Sequence, residues 1–173
     1  NLTKDAALDI DPAWSPDGSQ LAYSSDKDSE HLQLWIHDMK SGQSRRVTNL
    51  TTQPQGAAWS PDGKRIAFAS DRGTDFDVLR LARWTIALYD LATGRVTELP
   101  GQAGLNINPQ WAPDGRSIAY VSDRTGIANL FLYDLDARQH YQLTNVMGAV
   151  NALTEYSPAI TWAHEADVLA FTY

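Results

Sequence analysis

Apolar residues come in short runs, set off by clusters of Gly, Pro, Asn, Asp and Ser. Leu21-Ala22-Tyr23, Leu32 to Ile36, Ile66-Ala67-Phe68, Ile86-Ala87-Leu88, Ile118-Ala119-Tyr120 and Leu130-Phe131-Leu132 are examples. Runs of this length, rich in aromatic and β-branched residues and bounded by turn formers, predict strands. The turns are themselves patterned. Trp14-Ser15-Pro16-Asp17-Gly18 returns as Trp59-Ser60-Pro61-Asp62-Gly63 and as Trp111-Ala112-Pro113-Asp114-Gly115. In each, Pro fixes φ at the second position and Gly takes the positive φ that a tight hairpin loop requires.

Measured from these tryptophans, the chain keeps register. The second-strand aliphatic follows seven residues later each time, at Leu21, Ile66 and Ile118. The Asp closing the third strand precedes the fourth-strand aliphatic by nine, as Asp38 to Val47, Asp90 to Leu99 and Asp134 to Leu143. Four short antiparallel strands per unit of roughly 45 residues, without helices, are the signature of a β-propeller blade. The expected fold is therefore all-β: β-propeller blades of four antiparallel strands in an incomplete arc of about three and a half to four blades.

The expected division is a single partial propeller over 1–173, with blade 1 at 11–48, blade 2 at 49–100 and blade 3 at 101–144. Residues 1–10 read as the end strand of a preceding blade and its connection, because Thr3 precedes Trp14 by the same eleven residues that separate Thr48 from Trp59. Residues 145–173 read as an inserted connection and the first half of blade 4. There Trp162 stands seven before Leu169, but the turn Ala163 to Asp167 has lost both Pro and Gly. A second register, Ser157-Pro158-Ala159-Ile160 over Asp11-Pro12-Ala13-Trp14, is equally open. An unclosed arc exposes strand edges, so self-association through them is one expected interaction.

Composition narrows the partners. Of 173 residues 43% are hydrophobic, ample for a core, and the formal net charge is −7. The 14 Lys and Arg form no basic stripe, which argues against a nucleic-acid partner and for a protein or peptide. With no cysteine, a disulfide framework, a thiolate metal site and a cysteine nucleophile are excluded. No apolar run reaches the ~20 residues of a membrane span, so no membrane insertion is expected. No signal peptide is visible in this stretch, which starts and stops in mid-pattern.

The blades resemble the TolB-like propeller repeats, which are related to WD repeats. The resemblance lies in the Pro-x-Trp-Ser-Pro-Asp-Gly turn, the Ile-Ala-Phe type strand, Ser-Asp-Arg, an aliphatic-Tyr strand ending in Asp, and Leu-Thr. Pro12 to Thr48, Ala57 to Leu99 and Pro109 to Thr144 carry it. It implies a non-enzymatic, protein- or peptide-binding scaffold, periplasmic or otherwise exported, in the bacterial envelope. The same blades occur in peptidases and other hydrolases, which implies as alternative a substrate-gating propeller whose catalytic domain lies outside this chain.

Residues that recur in every unit are assigned to the fold: the tryptophans to the core between blades, the turn aspartates and the Ser-Asp pairs at 25–26, 70–71 and 122–123 to caps on backbone amides. Arg72 and Arg124, which follow two of those pairs, are candidates to bind an anion, with pairing to neighbouring carboxylates the favoured expectation. No Gly-x-Ser-x-Gly elbow marks a nucleophile. His31, His37, His140 and His164 fall at different repeat positions without zinc-ligand spacing, so no catalytic residue, metal or cofactor is expected. Candidate binding residues lie where the repeat is broken. Asp71 to Asp90 is 19 residues against 12 for Asp26 to Asp38, and Thr144 to Trp162 is 18 instead of eleven. Both insertions emerge on one face of a propeller. They supply Phe76, Arg80, Arg83, Trp84, Asn151 and Tyr156 as ligand or partner contacts, Arg and aromatics being the usual anchors. Asp9, Asp11, Asn106 and Asn108, polar residues ahead of the first strands, are the candidate channel mouth.

Overall fold

A computed structural model describes residues 2–71, 83–151, 158–163 and 165–173. Blade 1 is a four-stranded antiparallel meander of β1 (Asp9–Trp14), β2 (Gln20–Ser25), β3 (Gln33–Asp38) and β4 (Gln43–Arg46). Blade 2 repeats it with β5 (Pro54–Trp59), β6 (Arg65–Ser70), β7 (Thr85–Asp90) and β8 (Val96–Glu98). Blade 3 comprises β9 (Asn106–Trp111), β10 (Ser117–Ser122), β11 (Asn129–Asp134) and β12 (Gln139–Gln142). A two-stranded sheet of β13 (Ile160–Ala163) and β14 (Val168–Phe171) follows. The chain is thus all-β, an open arc of propeller blades.

The two open registers of the last unit are resolved by its pairing. Trp162 faces Leu169 across β13–β14, as Trp14 faces Leu21, Trp59 faces Ile66 and Trp111 faces Ile118.

The repeated short motifs hold the hairpins. In the first turn Gly18 adopts φ 68° and its amide donates to Ser15 O at 2.9 Å. Asp17 Oδ1 accepts from Ser15 Oγ and from the Ser19 amide, and these bonds to the ionised form draw its pKa down to about 2. The Ser-Asp pairs cap as expected: Asp26, Asp71 and Asp123 each accept the amide of a residue eighteen positions away, Leu8, Gln53 and Leu105. These bonds clamp each β2–β3 type loop to the connection entering its own blade, so both lie on one face, called upper here.

The Thr that recurs after the fourth strand of blades 1 and 3 also has a local task. Thr48 Oγ1 accepts the Leu34 amide at 2.8 Å and Thr144 Oγ1 accepts the Leu130 amide at 2.9 Å, two third-strand donors past the end of the ladder. Blade 2 has Pro100 at that place, and Gln102 Oε1 reaches the Ile86 amide instead, at 2.6 Å.

The core lies between blades. Ala22, Leu34 and Ile36 of blade 1 pack on Trp59, Ile66, Phe68 and Tyr89 of blade 2. Ala67, Ala69 and Ile86 of blade 2 pack on Trp111, Ile118, Tyr120 and Phe131 of blade 3. Each inner tryptophan also reaches back: Trp59 Nε1 donates to Ala13 O at 3.0 Å and Trp111 Nε1 to Ala58 O at 3.1 Å. Withdrawing ~200 Å² of indole from water contributes on the order of 5 kcal/mol before entropy is counted. Trp14, with no blade on that side, is 56% exposed, against 1% for Trp111. Trp162 Nε1 does not reach back; it donates to Asp167 Oδ1 within its own hairpin at 2.9 Å.

Candidate functional site

The first strands of successive blades, β1, β5 and β9, lie side by side and form a concave wall. Each carries a bulge at the residue three before its tryptophan, where Asp11, Gly56 and Asn108 adopt φ of 53°, 63° and 52°. Asp and Asn are the side chains that tolerate this left-handed conformation best, and Gly tolerates it freely. The bulges form a belt across the blades. Asp11 Oδ2 accepts the Gly56 amide at 2.9 Å, and Asn108 Oδ1 accepts the amide of Ala159, the equivalent residue of the last unit, at 2.6 Å. Gly56 has no side chain to offer Asn108, so the belt is open between blades 2 and 3.

A groove of about 980 Å³ runs along this wall, and its lining includes Trp14, Trp59, Gln55, Asn108, Gln110 and Asp11. Of the four channel-mouth candidates, Asp11 and Asn108 lie on it, each with one oxygen already engaged in the belt. Asp9 keeps a buried Oδ1 without a hydrogen-bond partner. Asn106 is fully buried, and its Nδ2 is shared among the carbonyls of Trp84, Ala103 and Gly104 at 3.0–3.3 Å.

On the upper face the structure gathers residues that the sequence placed in separate groups. Arg83 is exposed beside Trp84, whose side chain packs on the blade 2–blade 3 core and whose carbonyl accepts from Asn106. Asn151 stands apart, its backbone bonded to Thr172 beyond β14. Phe76, Arg80 and Tyr156 lie outside the described residues.

Arg124 departs from expectation. Among the described residues it meets no carboxylate at ion-pair distance, because neighbouring Asp123 is committed to the Leu105 amide. Instead its guanidinium lies over Phe131 at 4.9 Å and Tyr120 at 5.7 Å, with Nη2 3.5 Å from Asn106 Oδ1. Next to it His140 bridges two blades. Nε2 lies 2.7 Å from Pro100 O, an atom that can only accept, so Nε2 carries the proton and Nδ1 accepts from Tyr120 Oη at 2.7 Å. Burial raises the Tyr120 pKa to about 12, and burial, aided by the Arg124 charge, lowers that of His140. Sequence spacing gave no sign of this cluster, since His140 occupies a position held by Ser44 in blade 1 and Val96 in blade 2.

Two family models divide the chain: the TolB beta propeller domain over residues 1–83 and the dipeptidyl peptidase IV N-terminal region over residues 82–172. The chain belongs to the TolB-like β-propeller repeat family. More than half of this TolB-like chain also belongs, by the second match, to the family of the dipeptidyl peptidase IV N-terminal region. The Tol-Pal system protein TolB of Bordetella pertussis is 36% identical to it over 133 residues, 73% of this chain and 27% of that protein. Dipeptidyl-peptidase 5 of Porphyromonas gingivalis is 31% identical over 146 residues, 78% of this chain and 20% of that protein. The crystal structure of TolB from Acinetobacter baumannii superposes with a TM-score of 0.74 at 22% identity, covering 96% of this chain and 38% of that one, and shows the shared fold. The TolB-like chain therefore spans less than a third of the length of these two curated relatives.

Proposed function

We propose that this chain is the non-enzymatic, ligand-binding arc of a TolB-like propeller in the bacterial envelope, and that a protein or peptide segment lies along its concave wall. The observation carrying this reading is the groove of about 980 Å³, in which apolar Trp and Pro surfaces alternate with the amide side chains of Gln55, Asn108 and Gln110. Apolar area with a few convergent polar groups suits an extended peptide, whose backbone needs both donors and acceptors. A nucleophile is harder to find. Among the described residues the serine–histidine contact is Ser44 Oγ to His37 Nδ1 at 2.9 Å, a cross-strand pair between β3 and β4 with no carboxylate completing it.

The reading is tested with a photo-crosslinking residue introduced in place of Gln110 on the groove and, separately, of Gln43 on the outer strand β4, in the full chain expressed in its host. A discrete adduct from position 110 alone is expected, with its partner identified by mass spectrometry. No adduct at 110, or the same adduct from both positions, overturns it.

The second reading, a substrate-gating propeller of a peptidase, is favoured by the dipeptidyl peptidase IV match over residues 82–172 and by the likeness to dipeptidyl-peptidase 5. A Gly-x-Ser-x-Gly domain encoded next to this stretch, with peptidase activity that falls when the groove is blocked at Gln110, supports it over the first.

A further inference from the structure

The same repeat position carries a cation in every blade, Lys27, Arg72 and Arg124; Arg72 lies outside the described residues, and the other two are treated differently. Lys27 and Arg124 each follow the capping Asp of their blade, Asp26 and Asp123. Each lies over the aromatic that faces the second-strand Tyr from the third strand: Lys27 is 5.6 Å from the Trp35 ring centre and Arg124 is 4.9 Å from that of Phe131. In blade 1 the aromatic-stacked cation is completed by a carboxylate, Asp5 Oδ2, at 3.0 Å from Nζ. Asp5 stands three residues before Leu8, whose amide caps onto Asp26.

In blade 3 the residue three before the corresponding capped amide, Leu105, is Gln102. Gln102 is turned away into blade 2, bonded through Oε1 to the Ile86 amide and through Nε2 to the carbonyls of Ile86 and Leu99. Arg124 is thus built like its blade 1 counterpart, cation on aromatic face, but the fold supplies it with no carboxylate among the described residues. Its remaining contacts, to Ser122 Oγ and Asn106 Oδ1, are both 3.5 Å long and leave most of its five donors unspent. Gly104 holds the connection close above it: a Cβ there would lie 3.1 Å from the Arg124 backbone nitrogen. The result is a partly exposed, preorganised guanidinium on the upper face, beside Trp84 through their shared partner Asn106.

We propose that Arg124 is the receptor for a carboxylate carried by an incoming peptide, either an acidic side chain or a C-terminus, which takes the part that Asp5 plays toward Lys27. A planar guanidinium stacked on an aromatic face loses little freedom on binding and presents paired donors that match a carboxylate's two oxygens. The proposal rests on the reading of the propeller as a peptide-binding scaffold and adds the chemistry of one anchor point.

The test uses the full chain and three probe peptides of otherwise neutral sequence: one amidated with a single internal Glu, one without Glu but with a free C-terminus, and one without Glu and amidated. N-acetylglutamate serves as a carboxylate without a peptide. Calorimetric affinities are measured alongside the Arg124 Nε–H resonance, assigned by its loss in Arg124→Gln. The two carboxylate-bearing peptides are expected to shift that resonance and to bind about tenfold or more tightly than the neutral amidated one. Which of the two binds tighter separates side chain from C-terminus. Arg124→Gln should remove the difference, while Arg124→Lys, which keeps the charge but not the fork or the stack, should retain part of it. An unmoved Nε–H signal, or a thermally intact Arg124→Gln variant that still favours carboxylates, overturns the proposal. If Arg124→Gln does not melt like the parent, the Nε–H titration and Arg124→Lys decide. Peptides that bind without regard to carboxylate or Arg124 leave the scaffold reading standing and remove this one. N-acetylglutamate shifting Arg124 while no peptide binds removes the scaffold reading and, with it, the peptide as carrier, leaving Arg124 a site for free carboxylates only.

Discussion

Closing the belt of bulges offers a quantitative check on the inter-blade geometry. Gly56 stands where blade 1 has Asp11 and blade 3 has Asn108, at nearly the same φ, and is the member of the three without an acceptor. In Gly56→Asn the new Cβ would lie 3.7 Å from Pro109 Cδ and 3.9 Å from Asn108 Cα, ordinary van der Waals separations that require no movement. The added Oδ1 is then placed to accept the Asn108 amide, as Asp11 accepts that of Gly56. One such bond contributes about 1 kcal/mol net. Removing a glycine from the unfolded chain adds roughly 0.4–1 kcal/mol. Against these stands the left-handed conformation, costing about 1–2 kcal/mol for an ordinary L-residue and less for Asn. The sum is a stabilisation of roughly 0.5–1 kcal/mol, or a rise in Tm of about 1–4 °C for a chain of this size. Gly56→Ala bears the conformational cost without the acceptor and should lower stability by about 1 kcal/mol. Urea and thermal unfolding followed by circular dichroism measure both. If Asn proves no better than Ala at this position, the bulges do not form a belt and the reasoning fails.

Three further outcomes follow from the blade interfaces. Trp111→Phe leaves the buried Ala58 carbonyl without its indole donor and puts a smaller ring beneath Arg65, so it should cost about 1–3 kcal/mol in urea unfolding, whereas Trp14→Phe, at a 56% exposed site, should cost little. His140 is held neutral when folded, its pKa lowered from 6.5 chiefly by burial; its contribution is therefore complete above pH 6.5 and is lost as pH falls below it, and His140→Gln should flatten the Tm-versus-pH curve in that window. Gly104→Ala would drive a methyl against Asp123 Oδ1 and to within 3.1 Å of the Arg124 backbone in a left-handed conformation, and a loss of about 1–3 kcal/mol by thermal unfolding is expected.

The architecture was legible because every blade solves the same problem with the same residues. Trp-Ser-Pro-Asp-Gly, Ser-Asp and Leu-Thr each satisfy a particular backbone group or fill a particular inter-blade space, so recurrence in sequence reports recurrence in structure. The candidate site was legible only in part. The insertion logic led to Trp84, whose carbonyl accepts from Asn106 on the upper face, but a single unit says nothing about which side chain of the next unit arrives opposite. That Arg124 meets no carboxylate among the described residues depends on where Gln102 turns, and Gln102 turns toward Ile86 because Pro100 has displaced a threonine two residues earlier. That chain of causes runs through three positions and two blades. No spacing rule contains it.

Substitution within a repeat moves an obligation rather than removing it. When Thr gives way to Pro100, the Ile86 amide still needs an acceptor, and Gln102 is drawn in. When Asp5 has Gln102 as its counterpart, the aromatic-stacked cation of blade 3 is left without an anion within its own blade. When the bulge residue is Gly56, the Asn108 amide loses the acceptor that its neighbours in the belt possess. Two of these displaced obligations, at Arg124 and Asn108, fall on the blade 2–blade 3 boundary. Unspent polar capacity beside a packed interface is what a binding surface needs and what a purely structural blade avoids. The proposed peptide groove and the proposed Arg124 anchor both border this seam, while the recurring turns serve the fold.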